Sequence, residues 1–196
     1  EGRFGGELID LRHAVVIRST ALVNVALDKN ASQSSTALGG AASRAVDGID
    51  SSDFLANSCS HTNAGNNEWW QVDLGAVYDI DAIEVYHRTN CNVFCDAELV
   101  GARVYISTSA NYGTGVLCGT LGNNLAVPDV LSCMHGGQYV TVAQPGSRAI
   151  TICELRVMAF PLTAQQAVIN VGVERRGSTD FRRATASPAS DGLMAE

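Results

Sequence analysis

The chain has 196 residues, 46% apolar and 17% charged, with 19 Gly against 4 Pro, a globular composition with room for one substantial core and neither a disordered linker nor a collagen. Thirteen Lys plus Arg against 20 Asp plus Glu leave a net charge of −7, so no overall positive field exists to hold nucleic acid or an anionic membrane. Lys29 is the only lysine, which argues against a Schiff-base or phosphate-loop chemistry, and no apolar stretch is long enough to span a bilayer.

The first predicted strand is Ala14–Ile17, in a cysteine-free arm of residues 1–23 that also carries Leu8, Ile9 and Leu11. Gln71–Leu74, Ala82–Tyr86, Ala102–Ser107, Gln138–Val142, Ala149–Ile152 and Leu155–Met158 follow, short and rich in Val, Ile and Tyr. Gly, Asn, Ser and Asp clusters such as 63–67 and 111–115 separate them, and no central stretch keeps a 3.6-residue apolar period. This rhythm predicts an all-β sandwich or barrel with long loops and little helix. Strand alternation sets Trp70 and Val72 opposite Trp69 and Gln71, so one tryptophan of the pair is expected to anchor the core.

Six cysteines, at 59, 91, 95, 118, 133 and 153, are even in number and loop-spaced with no C-x-x-C pair, which favours three disulfides over zinc and implies an oxidising, secretory compartment. With no charged segment followed by an apolar one at the start, any secretory leader is expected to have been removed. All six cysteines fall within residues 24–160, which are read as one domain; residues 161–196 form a C-terminal extension that becomes polar and Arg-studded. Asn30-Ala31-Ser32 is a glycosylation sequon that suits the same compartment.

Among the four histidines, His13, His87 and His135 sit in no catalytic frame, and the chain has no G-x-S-x-G, no H-E-x-x-H and no phosphate loop. A hydrolase would rest only on His61 and Arg88 near Glu98, with no second carboxylate at a glycosidase-like spacing, so no enzyme is expected. His61 stands out by its company, lying in Cys59-Ser60-His61-Thr62 ahead of an Asn/Gly loop and Trp69-Trp70-Gln71-Val72-Asp73-Leu74.

These blocks, with residues 24–35, Ala45-Val46-Asp47-Gly48, His87-Arg88, Leu99-Val100-Gly101-Ala102-Arg103-Val104, Gly137-Gln138-Tyr139-Val140 and Ile152-Cys153-Glu154-Leu155, resemble in order the F-type lectins, the fucose-binding lectin family. The resemblance covers about residues 24–160 and implies a jelly-roll β-sandwich of about eight antiparallel strands with the site on its end loops. It implies a sugar motif of a histidine, twenty-six residues, an arginine, one residue, an aspartate, four residues and a second basic residue. His61 and Arg88 reproduce the first interval. An imidazole N–H and a guanidinium fork can donate to the hydroxyls and ring oxygen of L-fucose in fixed geometry. Asn90 then replaces the aspartate, and the second basic position falls on Cys95 by strict counting or on Glu98 if the loop is aligned to Leu99.

By the same resemblance Cys59 pairs with Cys153 and Cys118 with Cys133, while the family's remaining pair, adjacent in sequence, is opened here to Cys91 and Cys95 with Phe94 between them. A three-residue loop allows that bridge, and Phe94 is either an apolar wall for the sugar or a plug in its pocket. A structural calcium ion is also implied, held by Asp47, Ser58 and Glu154 with the carbonyls of Arg44, Ile49 and Cys153. Two functions remain open at this point. One is a secreted lectin for fucosylated glycans, multivalent in a homo-oligomer because single sugar sites bind weakly. The other is an assembly module that keeps the fold without sugar binding. The flanking runs 8–17 and 167–173 are apolar on both faces and are expected to pair as added strands in an oligomer, with Arg175, Arg176, Arg182 and Arg183 on an acidic neighbour.

Overall fold

The computed structural model describes residues 21–89, 98–122 and 127–161. The predicted strand 14–17, the flanking runs and the basic cluster therefore lie outside the described residues, as do Asn90, Cys91, Phe94 and Cys95. Eight strands are present among the described residues: β1 (Val23–Asn24), β2 (Asn30–Gln33), β3 (Ser60–His61), β4 (Trp69–His87), β5 (Arg103–Ser107), β6 (Val116–Thr120), β7 (Asp129–Ala143) and β8 (Thr151–Ala159). Helix is confined, among the described residues, to three 3₁₀ turns at Ala42–Val46, Phe54–Ala56 and Tyr112–Thr114.

Every strand pairing is antiparallel, along the path β1-β8-β4-β7-β5-β6, with β2 on β4 and β3 on β8. The two long strands serve both layers of the sandwich. The start of β4 pairs β2 and Tyr139–Ala143 of β7, whereas its end pairs β8 and the Asp129–His135 half of β7. The crossing lies at the register shift between Asp73 and Tyr78, where Gly75 takes φ +80° and donates its N–H to Asp73 Oδ1 at 2.8 Å. Predicted strands 71–74 and 82–86 are thus one strand, because a sandwich strand can bend through a Gly turn without ending. Likewise the strands predicted at 149–152 and 155–158 merge into β8. β1, β2, β3 and β6 are not among the predicted strands: three are only two to four residues long, and in β6 Gly119 interrupts a run of five residues.

Side-chain parity explains the core. Trp70, Val72, Leu74 and Ile80 are buried on alternate positions, and a second register shift between Ile80 and Ala82 inserts one residue, so that Ile83 and Val85 face inward after it. They meet Val104 and Ile106 of β5, Val140 and Val142 of β7, and Ile152, Leu155 and Val157 of β8. Trp70 is the tryptophan that anchors the core. Its Nε1–H donates to Ala42 O at 3.0 Å, satisfying the indole and tying the 42–46 turn to the sandwich. Ile152 belongs to this main core, but its neighbour Cys153 packs in a second cluster with Phe54 and Cys59, so the start of β8 has a buried partner on each face.

Candidate sugar and cation sites at one end of the sandwich

The loop between the 42–46 turn and β3 carries Phe54, Asp47 and Ser58 and leads into His61. Asp53 caps the 54–56 turn by accepting from Leu55 N at 2.9 Å, and Asn57, at φ 62°, closes it. Ser58 donates to Asp53 O at 2.7 Å, and Cys59 is bonded to Cys153. β3 then pairs His61 directly with Thr151. The backbone of His61 is gripped from the other side, donating to Gly40 O at 2.9 Å and accepting from Ala37 N at 3.0 Å. A Cβ on Gly40 would stand 2.5 Å from His61 N, so only glycine permits that approach.

Five side chains converge there. The half-buried imidazole of His61 meets the Phe54 ring edge-on at 5.3 Å between centroids, and the Arg88 guanidinium lies 4.8 Å from the centre of the same ring. His61 Nδ1 is 2.7 Å from Thr151 Oγ1, and Thr151 Oγ1 in turn donates to Glu98 Oε2. Glu98 is fixed through its own carbonyl, which accepts from the buried Gln144 Nε2 at 2.5 Å. Arg88 follows directly on β4, and Thr89 N donates to Ser52 O at 3.2 Å, drawing that strand end to the site loop. Burial holds the His61 imidazole below its ordinary pKa; the Glu98 carboxylate opposes this and the Arg88 guanidinium adds to it. The ring is therefore neutral at neutral pH.

Of the residues singled out in the sequence for sugar binding, His61, Arg88 and Glu98 are brought together. Phe54 and Thr151 were missed. The sequence held a weak sign of each, since Phe54 is a lone aromatic in the polar stretch 50–58 and Thr151 directly precedes the Ile152-Cys153-Glu154 block. His87 instead sits at the end of β4 with Nδ1 2.9 Å from Arg88 O, and His135 lines a hollow of about 250 Å³ with Asp79, Asp81 and Phe160. That hollow adjoins Ile80, which pairs with Ala159, so it lies at the opposite end of β8 from His61.

A second constellation lies beside the first. The side chain of Glu154 is fully buried; Oε2 accepts from Gly48 N at 3.2 Å, and Oε1 has no hydrogen-bond partner among the described residues. Asp47 Oδ1 accepts from Ile49 N at 3.0 Å, forming a turn with Gly48 at φ +79°. Burial chiefly pushes the Glu154 carboxyl up to about 7; the Gly48 N–H works against this, and Asp47 and Asp50 add to it. Two steps along β8, Arg156 pairs with Asp50, reaches Glu84 at 3.6 Å and covers the Tyr86 ring. A buried carboxylate oxygen lacking a partner, next to a second carboxylate, is a donor set that suits a hard cation. Of the remaining expected disulfides, Cys118 of β6 is bonded to Cys133 of β7, and Cys91 and Cys95 lie outside the described residues.

A family model for the NedA-like, galactose-binding domain matches residues 44–142. Fucolectin-5 of Anguilla japonica is 37% identical over 147 residues, which cover 70% of this chain and 76% of the relative. The chain belongs to the F-type lectin (fucolectin) family. Among solved structures, a fucolectin from the serum of Morone saxatilis, the striped bass, is similar with a TM-score of 0.65 and 36% identity over 70% of this chain. The chain spans about half of that protein, 49% of its length. The lectin domain of lectinolysin, solved with Lewis B antigen, has a TM-score of 0.61 and 33% identity, covering 69% of this chain and 95% of that one. Membership in the lectin family places the chain among carbohydrate-binding proteins rather than enzymes. No helix among the described residues is long and apolar enough to cross a membrane.

Proposed function

We propose that this F-type lectin is a secreted, calcium-containing protein that binds terminal L-fucose or a related sugar on glycans, with His61 and Arg88 as the principal polar contacts. The observation that carries the reading is the convergence of the imidazole, the guanidinium and the Phe54 ring, which together offer two directional polar groups beside an apolar face. A sugar with both hydroxyls and a C–H face calls for that combination. Asn90, Phe94 and the Cys91 and Cys95 loop are proposed to complete the rim, with Glu98 behind His61.

Calcium is proposed at Glu154, Asp47 and Ser58 with the carbonyls of Arg44, Ile49 and Cys153. The unpartnered Glu154 Oε1 supports it. The ion would neutralise two neighbouring carboxylates and hold the 47–58 loop that carries Phe54 and leads to His61. The expected result on a glycan array is retention of fucose-terminated glycans in calcium and loss in EDTA. Glu98, acidic and engaged with Thr151 where one alignment of the family pattern has its second basic residue, favours one alternative, an assembly module that has lost sugar binding. An array blank under both conditions would select it.

Residues 24–160 are proposed as the lectin domain, with the flanks building a homo-oligomer that presents several sites. Val23 pairs with Ala159 at the strand β1 that ends the sheet path, so the first and last described strands are neighbours, which supports a shared role for the segments beyond them. Light scattering is expected to find the full chain oligomeric and the 24–160 fragment monomeric and folded. A full chain already monomeric at micromolar concentration would remove the flanks from assembly.

A further inference from the structure

The hydrogen bonds behind His61 have a direction. A threonine hydroxyl carries one proton, and an ionised carboxylate can only accept. Thr151 gives that proton to Glu98 Oε2, so the Thr151 oxygen presents a lone pair, not a proton, to His61 Nδ1 at 2.7 Å. The contact is a hydrogen bond only if Nδ1 carries the imidazole proton. In a neutral ring Nε2 is then bare.

Resting on the fucose-site reading above, we propose that Glu98 and Thr151 are positioning residues that lock His61 in the Nδ1–H form, so that Nε2 meets the sugar as an acceptor and selects a free hydroxyl. His61 thereby takes a role opposite to the donor expected from the sequence. Among the described residues, the groups around the ring are Phe54, which is apolar, the Arg88 guanidinium, which only donates, and Thr151 with Glu98 behind it. A sugar hydroxyl that donates to Nε2 keeps lone pairs with which to accept from Arg88. Protons then run in one sense from Arg88 through the sugar hydroxyl, His61 and Thr151 to Glu98, and each bond polarises the next. A substituent that cannot donate, such as fluorine, a methyl ether or a ketone, breaks this chain at His61. The altered motif is thus read as a change in what the site demands of its ligand: the acidic residue at 98 sets the polarity of His61 from behind.

The test uses the full chain with labelled histidine. Nitrogen NMR without sugar is expected to show His61 in the Nδ1–H form, Thr151→Val to move it towards the Nε2–H form, and Thr151→Ser to restore it. With methyl α-L-fucoside and its singly deoxyfluorinated analogues, the wild type is expected to lose about tenfold or more in affinity when the hydroxyl at His61 is replaced. Thr151→Val is expected to bind the parent fucoside about tenfold more weakly and to discriminate less against that analogue. Valine is nearly isosteric with threonine at this buried position; should that variant not fold, Glu98→Gln asks the same question, because an amide N–H lets the Thr151 hydroxyl turn round. A wild-type Nε2–H form, or an Nδ1–H form indifferent to both substitutions, overturns the assignment. If the ring is Nδ1–H but no fucoside binds, the lectin reading fails and the control of the ring by Thr151 and Glu98 stands.

Discussion

Stripping calcium is expected to lower the melting temperature sharply at pH 7.5 and only slightly near pH 5. Without the ion, the Glu154 carboxyl is pushed up to about 7 by burial, against about 4.5 in the unfolded chain. The folded state then holds a proton that the unfolded state releases between those values, so stability falls as pH rises from about 4.5 to 7 and stays low above it. For the ion-free protein the full loss is at most about 3 kcal/mol. Calcium bound as proposed would take the proton's place at the carboxylate and remove this penalty. At a hundredfold excess over its dissociation constant, binding to the native state alone adds about 2.7 kcal/mol, or a shift of about 5–10 °C for a chain of this size. Calorimetry with calcium and with EDTA at the two pH values is the measurement. Glu154→Gln sharpens it: this variant is expected to be indifferent to calcium and, at pH 7.5, more stable than the stripped wild type. A stripped protein whose melting is flat across this range would remove both the ion and the buried charge from the account.

Arg88→Ala is expected to reduce affinity for fucosides by about 10- to 150-fold, the loss of a charge-assisted hydrogen bond worth about 1.5–3 kcal/mol. Phe54→Ala is expected to weaken binding as well, for a different reason. The Phe54 ring touches the imidazole at its edge, lies under the guanidinium, and packs with the Cys59–Cys153 bond on the outer side of β8. Removing it takes one packing partner from both polar groups and opens a void, so the melting temperature should fall too. Phe54→Leu keeps much of the volume and removes the aromatic face; it separates the two effects, with affinity lost and stability largely kept. Isothermal titration beside thermal melts measures both. Unchanged affinity in Phe54→Leu would show that the ring serves packing alone, and unchanged affinity in Arg88→Ala would place the sugar elsewhere.

Much of the architecture is local in origin and was legible as such. Alternating apolar residues in β4, β5 and β7, turn residues between them and a Trp-Trp pair with one inward member follow from a two-residue strand period that the sequence displays directly. The six cysteines pointed to disulfides by number and spacing, and two of these bridges lie among the described residues; His61 and Arg88 could be singled out because their interval is intact. What the chain order could not reveal is where strands change layers. The bend at Gly75 and the inserted residue near Asp81 decide that two predicted strands are one, and both depend on pairing with β7 and β8, far away in sequence.

The same limit applies to the site. His61 and Thr151 are ninety residues apart and become neighbours only through the β3–β8 register, and Glu98 reaches Thr151 from a third loop. Sequence determined that an imidazole, a guanidinium and a carboxylate were available in this lectin. Only tertiary structure decided that the carboxylate stands behind the imidazole, that Phe54 lies between imidazole and guanidinium, and that one oxygen of Glu154 is buried without a partner. Residue type is a property of each position alone, whereas the direction of a hydrogen bond and the burial of a charge are properties of contacts that exist only once the sheet has closed.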